Sequence, residues 1–175
     1  MSTTGKSTGL SKRTGRAPLI IAVIGAAAIG LTALYVWLNA PQALAQDASI
    51  VVYKTPTCGC CSDWVEHLEG AGLEVSVVHV DSTQAVRAQA GVPNALGSCH
   101  TAVVGDYFVE GHVPADLIQN LIESKPDNLL GIAVPGMPMG SPGMEGPNPV
   151  RYDVLAYDKD GRTFVYATRQ GSSER

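Results

Sequence analysis

Three of the chain's four cysteines, Cys58, Cys60 and Cys61, fall within four positions of the stretch YKTPTCGCCSDWVEHL. The fourth, Cys99, follows in GSCHTAVV with His100 beside it. Several chemistries can use such thiols. Soft thiolate and thioether ligands select Cu(I), and a thiolate sulfur can bind more than one ion, so a tight group of cysteines suits a small copper–thiolate cluster. Cys58 and Cys61 alone make a C-x-x-C pair capable of thiol–disulfide exchange. A structural disulfide is the plain alternative in an oxidising compartment, although two ordinary bridges do not form easily in so dense a group. Zinc fits less well, because its sites tend to repeat the C-x-x-C pair and only one is present.

The elements that must hold these residues follow from periodicity. SIVVY (Ser49 to Tyr53) is short, apolar and β-branched and reads as a buried strand. KTPTCGCC is a loop, and CSDWVEHLEGAG is a helix with Trp64, Leu68 and Ala71 on one face, Cys61 near it, and Gly70 and Gly72 closing it. Leu73 to Val80 is a second strand, and a short helix capped at Ser82 or Thr83 ends at Gly91. HTAVVGDYFVEGHV reads as two strands joined at Gly105-Asp106. A helix starts at Pro114 and places Leu117, Ile118, Leu121 and Ile122 at helical spacing. The order strand, helix, strand, helix, strand, strand, helix is that of the thioredoxin fold, whose first crossover pairs parallel strands. By that analogy the cysteine cluster sits after the first strand at a helix N-terminus, where dipole and free N–H groups favour thiolate. Ser98-Cys99-His100 then faces it from the loop before the third strand, a place that usually carries a cis-proline.

Beyond this lies GIAVPGMPMGSPGMEGPNPV, Gly131 to Val150, with Met137, Met139 and Met144. Its glycines and prolines leave it no regular element, so its side-chain contacts have to hold it. Met137 and Met139 are candidate thioether ligands or a lid, against the plain reading of gap-filling methionines. RYDVLAYDKDGRTFVYAT alternates around Asp160-Gly161 and reads as a terminal hairpin. His100 is a candidate ligand next to Cys99, although neighbouring side chains of a strand point to opposite faces. His67, His79 and His112 read more readily as structural histidines, and Trp64 as core.

The N-terminus decides the compartment. Residues 1–16 hold Lys6, Lys12, Arg13 and Arg16 and no acid, and Leu19 to Leu38 carries no charge. With Ala43-Leu44-Ala45 as a cleavage site, residues 1–45 read as a secretory signal. The apolar run is longer than a usual signal core of ~7–15 residues and long enough to span a bilayer, so a retained anchor through residues 19–38 stays open. In either case residues 46–175 are the exported domain. Without residues 1–45 the chain keeps 8 of its 12 basic groups and all 16 acids, a net of 8 − 16 = −8. An acidic domain without a basic stripe is no nucleic-acid binder.

YKTPTCGCC with its tryptophan, GSCHTAVVGDYFVEGHVP and GIAVPGMPMGSPGME together resemble the exported thioredoxin-like proteins of the CopG copper-resistance type, over residues 50 to 168. The resemblance implies a thioredoxin-like α/β domain in the periplasm that binds copper through Cys58, Cys60, Cys61 and Cys99. It also implies a role in copper resistance by sequestration, transfer or Cu(I)/Cu(II) conversion, with copper ions and other periplasmic copper-handling proteins as partners. A thiol–disulfide oxidoreductase using Cys58 and Cys61 is the competing reading.

Overall fold

The computed structural model describes residues 49–171. The signal or anchor expected within residues 1–45 lies outside them. Strand β1 (Ile50–Lys54), helix α1 (Gly59–Gly70), strand β2 (Val75–His79) and helix α2 (Gln84–Gln89) come first. A single 3-10 turn (Asn94–Leu96) then leads to β3 (Thr101–Val104), β4 (Tyr107–Glu110), helix α3 (Ala115–Ser124), β5 (Leu129–Ala133), β6 (Arg151–Asp158) and β7 (Thr163–Gln170). All seven strands join one mixed sheet in the order β2-β1-β3-β4-β5-β6-β7.

The β1–α1–β2 unit pairs its strands in parallel, Ile50 opposite Val75 and Lys54 opposite His79. Strands β3 and β4 form the expected hairpin, Val103 opposite Phe108, and Gly105 turns it with a φ of 55°. The terminal hairpin of β6 and β7 also forms, with Gly161 at its turn. Strand β5 is additional to the expected elements. It runs parallel to β4, Val109 opposite Ile132, and continues the sheet into the terminal hairpin.

Successive strand residues point to opposite faces, and the central strands β1, β3, β4 and β5 are covered on both, whereas the edge strands β2 and β7 are largely exposed. On one face Trp64, Val65 and Leu68 of α1 and Leu117, Ile118 and Leu121 of α3 pack against Ile50, Val52, Val109 and Ile132. On the other, Val92 and Leu96 cover Phe108 and Ala133. Val65 takes the place expected of Ala71, which is exposed because it stands just past the last helical turn. Pro114 is the N-cap of α3 rather than its first residue. Among the described residues, no helix is long and apolar enough to cross a membrane.

Candidate metal centre

Helix α1 starts two residues earlier than its apolar face suggests, so Cys58 is its N-cap and Cys60 and Cys61 lie in its first turn. One C-x-x-C step closes on itself there. Cys58 and Cys61 are joined as a disulfide, with Cα atoms 5.4 Å apart. Cys60 and Cys99 are free thiols, both half-buried, whereas Cys61 is fully buried. Cys60 Sγ lies 3.7 Å from Cys58 Sγ.

Cys99 comes from the other side, on the segment that enters β3. The four cysteine sulfurs lie within 4.8 Å of one another, which brings together the four positions expected from spacing and resemblance. A second donor group shares Cys99 and adds His100 and His112 within the same span. Cys99 Sγ stands 3.3 Å from His100 Nδ1 and 3.1 Å from His112 Nε2. Strand alternation does not separate Cys99 from His100, because β3 begins only at Thr101. His112 is buried as a structural histidine would be, yet it joins the donors. Gly111, at a φ of 70°, turns the chain out of β4 just before it.

His112 has a defined tautomer. Its Nδ1–H donates to the Pro142 carbonyl at 2.7 Å, so Nε2 carries the lone pair that faces Cys99. Burial lowers the pKa of His112, and it depresses that of His100 to about 3, with His112 adding to the effect. Both rings are therefore neutral at physiological pH and available to coordinate. His100 Nε2 is buried without a hydrogen-bond partner, and its ring stacks on Trp64 with centroids 4.2 Å apart. Burial, with Cys60 adding to it, pushes the Cys99 thiol up to about 11, so a metal ion binding there displaces a proton.

The segment between β5 and β6 docks on this centre. Gly136 donates its N–H to the Gly97 carbonyl at 3.1 Å, and Ser98 Oγ donates to the Gly136 carbonyl. Gly143, at a φ of 78°, lies on the first turns of α1. A side chain there would put its Cβ 2.6 Å from the Cys60 carbonyl and 2.7 Å from the Trp64 nitrogen. Gly140–Met144, Ser141–Pro138 and Val150–Met139 backbone bonds hold the rest. Backbone bonds fix the segment together with the side-chain contacts expected of it, Ser98 at Gly136, His112 at Pro142 and Ser141 at Pro138. Met137 and Met139 are 52% and 37% exposed, and the Met139 sulfur lies against Gly146.

The remaining histidines stand apart from both donor groups. His67 Nε2 accepts from the Ala115 N–H at 3.1 Å and so caps α3, and His79 is exposed on the edge strand β2. Trp64 is core, as expected, with its indole N–H donating to Val113 O at 2.8 Å.

Fold and site together define a mixed α/β protein with a partly buried cysteine–histidine centre whose donors lie close enough together to hold a metal ion. A family model described as "Protein of unknown function, DUF411" matches residues 96–144. A solved structure titled "Copper resistance protein copG- Form 2" is 46% identical, with a TM-score of 0.64. The match covers 69% of this chain and 97% of that one. "Copper resistance protein copG- Form 1" is 44% identical, with a TM-score of 0.65, covering 70% of this chain and 98% of that one. Comparison with curated proteins finds no match. The chain belongs to the CopG-type copper-resistance protein family.

Proposed function

We propose that this is a thioredoxin-like, periplasmic copper-binding protein that takes Cu(I) as its cargo and acts in copper resistance. The observation that carries the reading is the convergence of four cysteine sulfurs within 4.8 Å, Cys99 being shared with two neutral histidines. Thiolate and imidazole donors suit copper, and the thiolates favour Cu(I). The thioredoxin-like assignment rests on the order β2-β1-β3-β4 and on the cysteines at the N-terminus of α1. The basic head and apolar run at the N-terminus support export. The reduced exported domain should bind more than one Cu(I) under anaerobic conditions, and replacing Cys60 by Ser should lower the copper-to-protein ratio. One bound zinc and no copper would sink the reading.

The Cys58–Cys61 disulfide favours a second, compatible reading, a redox function of the same pair. Two Cu(I) ions would each give one electron to the disulfide. The S–S bond breaks, two protons are taken up, and two thiols and two Cu(II) ions result. Run in reverse, the dithiol reduces two Cu(II).

Met137 and Met139 would cap the loaded centre, their exposed thioethers turning inward on a segment already tied to it at Gly136 and Pro142. Thioether is neutral, so its loss costs less than loss of a thiolate. A Met137→Ala, Met139→Ala variant should therefore keep its copper but exchange it with a chelator faster. Unchanged content and exchange would make the segment a linker only.

A further inference from the structure

Glu110 is fully buried at the end of β4, directly after the buried Phe108 and Val109. A carboxylate there costs far more than an apolar side chain unless it is paired and hydrogen-bonded. Glu110 Oε1 accepts from Arg87 Nε at 2.8 Å and from the Ser98 N–H at 2.7 Å, and its Oε2 accepts from Thr101 Oγ1 at 2.6 Å. Arg87 also donates through Nη2 to the Ser98 carbonyl at 2.5 Å and packs on Gly97. Ser98 is thus held by both its N–H and its carbonyl, and Thr101 by its hydroxyl. The residues between these fixed points are Cys99 and His100, and the Gly111 N–H donates to the His100 carbonyl at 3.0 Å.

We propose that the buried Glu110–Arg87 pair is the positioning element that sets Cys99 opposite Cys60, so that the sulfur common to both donor groups is in place before any ion arrives. Its copper consequence rests on the function proposed above, but its geometric consequence does not. A metal-binding loop that is free to move spends binding free energy on being ordered, and groups that orient ligands typically change metal affinity about 10–100-fold when removed. Arg87 lies on the short helix α2, away from the larger core, which makes it the gentler place to break the pair.

The test compares wild type, Arg87→Ala, Glu110→Gln and a core variant, Val104→Ala, chosen to lose stability without touching the pair. In metal-free protein with the Cys58–Cys61 disulfide intact, diamide should oxidise Cys60 and Cys99 to a second disulfide. The two thiols lose two protons and two electrons, which the diamide takes up, and mass spectrometry follows the loss of free thiol. The rate should fall about tenfold or more in Arg87→Ala, less in Glu110→Gln, and remain at the wild-type value in Val104→Ala. In reduced protein, Cu(I) affinity by chelator competition, with the thiolate-to-copper absorption as its signature, should fall in the same order. If Arg87→Ala matches wild type in both readouts, or if Val104→Ala loses as much as Arg87→Ala, the pair is only structural and the proposal is overturned. Cross-linking that depends on the pair in a protein that takes up no copper would uphold the positioning and sink the copper reading instead. Wild-type protein that neither cross-links nor takes copper would remove Cys99 from beside Cys60, and the proposal with it.

Discussion

Replacing Cys99 by serine should lower Cu(I) affinity more than any other single change, by upwards of about a hundredfold. Its sulfur is the atom common to the two donor groups, so its loss separates the cysteines at the start of α1 from His100 and His112. Removing a group that merely orients a ligand already costs about 10–100-fold, and a ligand shared by two sets should cost more. Cys99 is only half-buried, so the fold should survive the change. Chelator competition on the reduced domain measures the effect, with Cys60→Ser beside it as the comparison. Leaving wild-type protein oxidised should also cost affinity, because the Cys58–Cys61 disulfide withholds two of the four thiolates. Unchanged affinity in Cys99→Ser would show that copper binds elsewhere.

Metal-free protein should lose stability steeply as pH falls below the ordinary histidine range. Burial lowers the pKa of His67, His100 and His112 alike, that of His100 to about 3. In the unfolded chain all three return to about 6.5. Between those values the unfolded state binds more protons, so stability is complete above about 6.5, falls as pH drops toward 3, and levels off below that. For His100 alone the loss between about pH 7.5 and about pH 5 is about 2 kcal/mol, a fall in Tm of roughly 5–10 °C. Cys99, pushed up to about 11, stays protonated throughout this window and adds nothing. Thermal unfolding at the two pH values checks this, and His100→Leu should flatten the dependence. Equal Tm values for the wild type would mean that His100 is not held neutral by burial.

Much of the site was legible because cysteine spacing is a local signal. Three thiols next to an apolar strand and ahead of a helical face fix their own position at that helix's N-terminus. Cys99 was placed from element order alone, and the structure brings it to the same point. His112 was not legible as a donor. Its approach depends on the turn at Gly111 and on its bond to Pro142, thirty residues away, and periodicity carries neither. The pairing of Cys58 with Cys61 was one of several open readings, since spacing permits a disulfide without requiring it. Strand β5 was hidden because its five residues, with Gly131 among them, merge into the glycine- and proline-rich run that follows. The particular bonds that dock that run are not legible for a related reason. Turn residues reveal that regular structure stops, but not which carbonyls the freed N–H groups will find.

The contact between Trp64 and His100 has a practical consequence. The chain has two tryptophans, and the other, Trp37, belongs to the N-terminal apolar run. A domain cut after Ala45 therefore carries one indole, buried and stacked on a candidate ligand at 4.2 Å between ring centroids. Its emission is a built-in gauge of the centre. An ion arriving on His100 would quench it, and protonation or displacement of that ring would shift it. Occupancy can then be followed in real time without a dye, a label or an engineered probe.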